Sequence, residues 1–374
     1  MKIAFFLPNA TFDMPGTREV GGIETFSFNV GAAMQRMGHD VTLFGGRPKH
    51  GRKHATTTLQ LQLFDYWETS SIPDIGTRFQ RLVQRLHFGW HSRHAFLNAR
   101  FDMVILSKPF DWPVAAFWKK TQPSLKVVMG FHGTDFFFSD KCFYGAVDAA
   151  FADSAPVADL AEIRVGRRPA VIPNPVDLDF YRPPQHAETR QQGTPLRLVC
   201  VSRFVGWKGH AFLLDALALL QNEGFPFRCH MVGDGPEKES LISQVSQCNL
   251  GKNLSLPGHL PKEELLELYR TADAFVAPSI GMDACPIAVF EAASSGLPLV
   301  LSDQICSTHF LAKNDFLSYP ARNATALAEQ IKKVAALRDS SHEYSDRWAR
   351  HRRMAAICST ETVVNKIIAL AETD

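Results

Sequence analysis

The chain is 374 residues long, 45% hydrophobic and nearly neutral, with a formal charge of +2. That length holds two domains with cores of their own. The hydrophobic fraction excludes extended disorder, and the small net charge gives no footing to nucleic-acid binding. Residues 1–168 carry 20 Lys/Arg against 15 Asp/Glu (+5) and the remainder 20 against 23 (−3), so the front half is the basic half. Seven cysteines without C-x-x-C or a metal-ligand spacing fit a reducing compartment and small buried thiols. The N-terminus, MKIAFFLPNATFD, breaks its apolar run at Pro8 and lacks a cleavage pattern. No apolar run approaches the ~20 residues of a spanning helix. A cytoplasmic protein is expected, with a peripheral place on the inner face of the plasma membrane as the one membrane option.

Short apolar runs alternate with helical spacing along the chain. Lys2–Leu7 reads as a strand, Gly21 and Gly22 follow a polar loop, and Ile23–Met37 has helical spacing. Strands follow at Asp40–Phe44, Met103–Leu106, Val127–Phe131 and Ala149–Ala152. A stretch from Ile172 to Gly193, with Pro173, Pro175, Pro183 and Pro184, reads as a linker. The second alternation runs through strand Leu196–Ser202, helix 209–222, strand Phe227–Val232, helix 237–248, strand Asn253–Leu256 and helix 262–270. It ends in strand Ala274–Ala277, helix 287–295 and strand Leu299–Ser302, and a final helix covers 359–372. This order predicts an α/β protein of two parallel-sheet domains, at 1–172 and 173–356, with 357–374 packing back on the first. Ligands of such sheets bind beyond the carboxyl ends of the strands, so a cleft between the domains is expected to carry the chemistry.

The polar residues at those strand ends form several constellations. Gly21 and Gly22 sit where a doubly wound unit meets phosphate, and also where a plain tight turn would sit. His132, in FHGTD, follows a buried strand and can hydrogen-bond a sugar hydroxyl; a structural histidine is the bland alternative. Arg203 and Lys208 follow strand Leu196–Ser202, with Gly206 and Gly209 letting the loop turn. An Arg fork and a compact Lys charge suit a diphosphate and its charge on departure. Asp283 and Glu291 lie eight residues apart, with seven between them, across the start of a helix that opens after Pro286. One carboxylate can take sugar hydroxyls and the other a ribose diol, and the free amides of Ile287 and Ala288 can face phosphate.

These residues carry a resemblance. GGIETF, FHGTD, NPVDLDFY, SRFVGWKG, MVGDGPEK, LPGHLPKEELLELYRTADAFVAPS and DACPIAVFEAASSGLPLV, spread over most of the chain, resemble the family 4 retaining glycosyltransferases of the GT-B fold. The family pattern has two glutamates with seven residues between them; here Asp283 replaces the first, and Cys285-Pro286 stands where Phe-Gly is usual. The resemblance implies two Rossmann-like domains facing a central cleft, 1–172 on the acceptor side and 173–356 binding the nucleotide-sugar donor. It implies that Arg203 and Lys208 bind the donor diphosphate, Glu291 the ribose, and Asp283 and His132 the transferred sugar. Gly21 and Gly22 would line the donor–acceptor junction, and Gly233, Ile287 and Ala288 would line the donor. His132, Arg203, Lys208 and Asp283 would be the catalytic set, with no metal and no cofactor. The nucleoside-diphosphate sugar is the substrate, and uridine is the family's commonest base. An epimerase or hydrolase of nucleotide sugars on the same fold is the alternative.

Residues 77–100 hold five arginines (78, 81, 85, 93, 100), three histidines and no acid. Phe79, Leu82, Val83 and Leu86 recur at helical spacing, on the side away from the arginines. Such a stretch suits an anionic membrane or an anionic, lipid-linked acceptor such as a lipopolysaccharide core. It also suits an ordinary helix covering a sheet with its arginines in water.

Overall fold

The computed structural model describes residues 1–8, 22–47, 58–65, 67, 71–73, 76–136, 140–186, 193–338 and 343–372. The chain divides into two compact units, Met1–Pro175 with Thr360–Asp374, and Val176–Ser359.

Unit 1 contains β1 (Lys2–Leu7), α1 (Gly22–Arg36), β2 (Asp40–Gly46), β3 (Gln60–Phe64), α2 (Thr77–Ala99), β4 (Met103–Leu106) and α3 (Trp112–Thr121). It continues with β5 (Lys126–Phe131), α4 (Asp140–Phe143), β6 (Ala149–Ala152), α5 (Ala155–Val165) and β7 (Ala170–Val171). The seven strands form one sheet in the order β3-β2-β1-β4-β5-β6-β7, and every pairing is parallel. Chain order reverses between β1 and β4, which makes their carboxyl ends the switch point where open α/β sheets bind ligands.

Unit 2 contains β8 (Leu196–Val201), α6 (His210–Asn222), β9 (Phe227–Val232), α7 (Lys238–Gln247), β10 (Leu254–Gly258), α8 (Lys262–Thr271) and β11 (Ala274–Ala277). It continues with α9 (Ile287–Ser294), β12 (Leu299–Ser302), β13 (Phe316–Tyr319), α10 (Ala324–Arg338) and α11 (Glu343–Cys358). Its parallel sheet runs β10-β9-β8-β11-β12-β13, with the switch between β8 and β11. Helix α12 (Thr360–Glu372) returns to unit 1 and buries Val363, Val364 and Ile367 in a core shared with Phe26 and Val30 of α1.

The strands of unit 2 show why the sheet needs helices on both faces. Leu198, Val276 and Val300 point into a core with Leu213, Leu217, Leu327 and Ile331. Their chain neighbours Val199, Phe275, Leu299 and Leu301 point the other way, to Tyr269, Phe290 and Met354. A strand buried on both faces must be apolar at every position, and each fully buried side chain contributes about 1.5–3 kcal/mol.

Three strands were not expected from the sequence. β3, β7 and β13 lie at sheet edges, are two to five residues long, and are only partly buried. Nor is the proline-rich stretch a loose connector throughout: Val176 and Tyr181 are buried in the core of unit 2, and the Tyr181 ring lies 6.0 Å from that of Tyr269.

Helix α2 corrects the orientation expected for residues 77–100. Arg85 is turned inward and pairs with the fully buried Asp111, while Phe79 and Leu86 face outward and Trp90 is 62% exposed. The buried face is instead Gln84, Arg85, Phe88, Gly89, Ser92 and Phe96. An arginine with a carboxylate to meet can be buried where an apolar-face rule would leave it in water. Burial pushes the Asp111 carboxyl up to about 6 against the opposing pull of Arg85 and Lys108.

Candidate active site

The loop after β8 and the loop after β11 flank the switch point of unit 2, and backbone contacts join them. Ile280 and Gly281 donate their N–H groups to Trp207 O at 2.8 and 3.2 Å. A tight turn at 206–208 brings Lys208 out of the β8 loop just before α6. Its Nζ donates to Asp283 Oδ2 at 2.6 Å, and both side chains are nearly buried. Ser279 Oγ donates to the same oxygen at 2.7 Å. Asp283 is fixed from behind, its N–H donating to Gln304 O and its carbonyl accepting from Cys306 N–H, each at 2.9 Å. The ammonium also lies 4.5 Å from the centre of the Trp207 ring, a cation–π distance.

Arg203 stands on the same loop as Lys208, five residues earlier. It is exposed, and among the described residues its guanidinium has no ion-pair partner. The next residue, Phe204, is fully buried and anchors the loop through Phe204 N–H to Asp234 O at 2.8 Å. Across the sheet, Gly233 at the end of β9 has a φ of 148°, and a Cβ there would stand 2.0 Å from Ser202 O. The structure thus gives Gly233 a packing reason: two strand-end loops approach backbone to backbone at this point.

Helix α9 begins after Pro286, whose carbonyl accepts from Val289 N–H at 3.0 Å. The amides of Ile287 and Ala288 have no acceptor among the described residues, as expected of a first helical turn. One turn further on, Glu291 receives the Tyr269 hydroxyl on Oε2 at 3.1 Å, and Tyr181 lies beside the same carboxyl. Burial raises the Glu291 pKa, and the two tyrosines and Lys262 only partly offset it.

Two histidines are held neutral. His210, at the start of α6, shares a 2.8 Å hydrogen bond between its Nε2 and Ser202 Oγ. Burial first, and then the nearby Lys208 charge, pull its pKa down to about 4. In unit 1, His132 packs its ring against Phe26 and Phe151, with centroids 4.5 and 5.7 Å away. Burial and then Lys108 lower it to about 3, so the 4.0 Å approach of Nδ1 to Asp153 is not an ion pair. Its Nε2 is buried without a hydrogen-bond partner among the described residues.

The structure therefore brings Lys208 and Asp283 into contact, puts Arg203 on the Lys208 loop, and seats Glu291 between two tyrosines. His132 and Gly22, an exposed first residue of α1, belong to unit 1. Gly21 lies outside the described residues. Sequence reasoning missed Ser279, His210, Tyr181 and Tyr269. All four lie in or beside the motifs already quoted, but nothing in a hydroxyl or a phenol marks it as a partner until the fold supplies the carboxylate. Among the described residues no three His, Cys, Asp or Glu side chains form a metal-binding set.

Two family models match successive parts of the chain. Glycosyltransferase Family 4 covers residues 20–180, and Glycosyl transferases group 1 covers 182–351. The putative glycosyltransferase EpsF of Bacillus subtilis is 35% identical over 141 residues, 36% of each chain. The putative colanic acid biosynthesis glycosyltransferase WcaL of Escherichia coli is 29% identical over 163 residues, 42% of this chain and 39% of WcaL. These matches span well under half the length of either relative. The solved structure of Anabaena Alr3699/HepE, in complex with UDP and glucose, covers all of both chains with a TM-score of 0.73 at 16% identity. That likeness shows the fold to be GT-B, two Rossmann-like parallel-sheet domains. Taken with the paired models spanning 20–351 and the Lys208–Asp283 pair, it establishes that the chain belongs to the family 4 glycosyltransferases.

Proposed function

We propose that the protein is a retaining glycosyltransferase that moves a sugar from a nucleoside-diphosphate sugar, a UDP-sugar, to a glycan or lipid-linked glycan. The observation that carries this reading is the Lys208–Asp283 pair at the unit 2 switch point, on a loop shared with the exposed Arg203. The relatives' printed roles support it: WcaL is named for colanic acid biosynthesis, and HepE was solved with UDP and glucose.

The diphosphate would be held by Arg203, Lys208 and the amides of Ile287 and Ala288, which supply its counter-charge in place of a metal. Asp283, fixed by Lys208 and Ser279, would accept hydroxyls of the transferred sugar, and Glu291 the ribose diol. His132, neutral, would contact the sugar as a hydrogen-bonding group rather than as a charge. In the front-face step the bond from the anomeric carbon to the leaving phosphate oxygen breaks. A bond to the acceptor oxygen forms on the same face, and the acceptor proton passes to the departing phosphate. Such a donor places the reaction on the cytoplasmic side.

The test is a thermal-shift panel of nucleoside diphosphates and their sugars. UDP and UDP-sugars are expected to give the largest shifts, and no shift with any of them would reject the reading. Turnover of the donor without a glycan acceptor would favour a hydrolase instead. Glu291→Gln removes the ionisable carboxyl and is expected to weaken nucleotide binding by about ten-fold. An unchanged dissociation constant would take Glu291 out of the ribose site.

The outward face of α2 presents Phe79, Leu86 and Trp90 beside the exposed Arg78. We infer that this face lies on an anionic membrane, where aromatic and aliphatic side chains enter the headgroup region and arginine meets lipid phosphate. Among the described residues no helix is long and apolar enough to cross a membrane. Flotation with phosphatidylglycerol vesicles is expected to carry the wild type and to lose Arg78→Glu/Trp90→Ser. Failure of the wild type to float, or equal flotation of both, would end this reading.

A further inference from the structure

Unit 1 has a switch point of its own, between β1 and β4, and no part of the donor reading uses the charged groups beside it. Ser107 and Lys108 leave the carboxyl end of β4, and His132 and Asp135 leave that of the adjacent β5. Lys108 Nζ donates to Asp135 Oδ2 at 2.5 Å. Arg81, reaching over from α2, places Nη1 3.7 Å from the same oxygen. Both cations therefore address Oδ2, and Oδ1 accepts nothing from the described residues. Burial alone would raise the Asp135 carboxyl, but Lys108, then Arg81 and Arg85, outweigh it and hold it ionised. The group is accessible: Asp135 is 40% and Arg81 43% exposed at the side chain. Two unsatisfied polar atoms lie on the same strand ends. Ser107 Oγ and His132 Nε2 are both buried without a hydrogen-bond partner among the described residues.

An ionised carboxylate with one oxygen clamped and the other open suits a neutral polyhydroxyl ligand. Clamping fixes the direction of Oδ1, and hydroxyl hydrogen bonds to a charged acceptor are about twice as strong as neutral ones. The open Oδ1 is an acceptor only, so it takes a hydroxyl and repels a second negative charge brought against it.

We propose that Asp135, oriented by Lys108 and Arg81 at the β4–β5 strand ends, binds hydroxyl groups of an uncharged saccharide in the acceptor glycan. The proposal rests on the glycosyltransferase reading of the chain and names the carboxylate through which that reaction's acceptor is held.

The test uses the full chain on an array of bacterial surface-polysaccharide and lipopolysaccharide-core fragments, uncharged and anionic, with UDP titrated separately. Wild type is expected to be retained on uncharged fragments. Asp135→Asn, nearly the same size, is expected to lose retention by about ten-fold, while Asp135→Glu keeps part of it and UDP binding and the unfolding midpoint stay unchanged. Equal retention of wild type and Asp135→Asn, retention on anionic fragments alone, or no retention of the wild type would each overturn the assignment. Loss of UDP binding by the wild type would instead overturn the donor reading of unit 2.

Discussion

Lys208→Met is expected to lower turnover by about a hundred-fold or more, the usual cost of removing one preorganised donor from a developing anion. The same substitution should destabilise the protein, because it strands Asp283. That carboxylate is 8% exposed at the side chain and, among the described residues, would keep only the Ser279 hydroxyl as a donor. Breaking a buried pair from one side costs about 3–5 kcal/mol, and the Ser279 bond places this site toward the lower figure. The two effects separate in a double variant. Lys208→Met/Asp283→Asn removes the stranded charge, so urea unfolding should recover most of the lost stability while turnover stays low. Recovery of activity along with stability would show that Lys208 works only as the partner of Asp283. Activity of the single variant within a few-fold of wild type would remove Lys208 from the mechanism altogether.

The pair also explains why its aspartate is tolerable where the family uses glutamate. Asp283 is one methylene shorter, yet Lys208 meets it at 2.6 Å because Trp207 O is tied to Ile280 and Gly281 on the neighbouring loop. The shorter side chain is met by a cation already held close. Lys208 then has donors left for a phosphate oxygen, since an ammonium has three and Asp283 takes one.

What the sequence made legible follows from burial. Met103–Leu106 and Ala149–Ala152 are buried at every position, and such runs announce themselves as central parallel strands. Gln60–Phe64 alternates Gln and Leu at a sheet edge, and Ala170–Val171 is too short to carry any period. Arg85 misled most. Arg85 of α2 and Arg347 and Arg350 of α11 are all buried. Arg347 donates to Arg270 O at 3.1 Å, and Arg350 meets Asp315. A pattern that places charge in water has no means of knowing that a backbone carbonyl or a carboxylate waits inside. The site was legible as residue types at strand ends, and Lys208 with Asp283 came out as a contact. That Glu291 would sit against two tyrosines was not legible, because Tyr181 comes from a stretch whose prolines read as linker.

The glycines beside Lys208 look equivalent in sequence and are not. Gly209 takes φ 73°, and a Cβ there would stand 2.0 Å from Pro278 O and 2.9 Å from the Ile280 side chain. Gly206, three residues earlier, needs no positive φ and would place its Cβ no nearer than 3.8 Å to Glu237. Gly209→Ala therefore incurs the left-handed penalty of about 1–2 kcal/mol plus a clash with backbone that cannot swing aside. A total of about 3 kcal/mol or more is expected in urea unfolding. The obstacle is the loop that carries Ser279 and Asp283, so the same change should push those groups from Lys208 and weaken UDP binding. Gly206→Ala should stay within about 0.5 kcal/mol of wild type and bind UDP normally. Equal stability of the two variants would mean that the β8 and β11 loops are not in the contact described, and the pairing of Lys208 with Asp283 would lose its structural support.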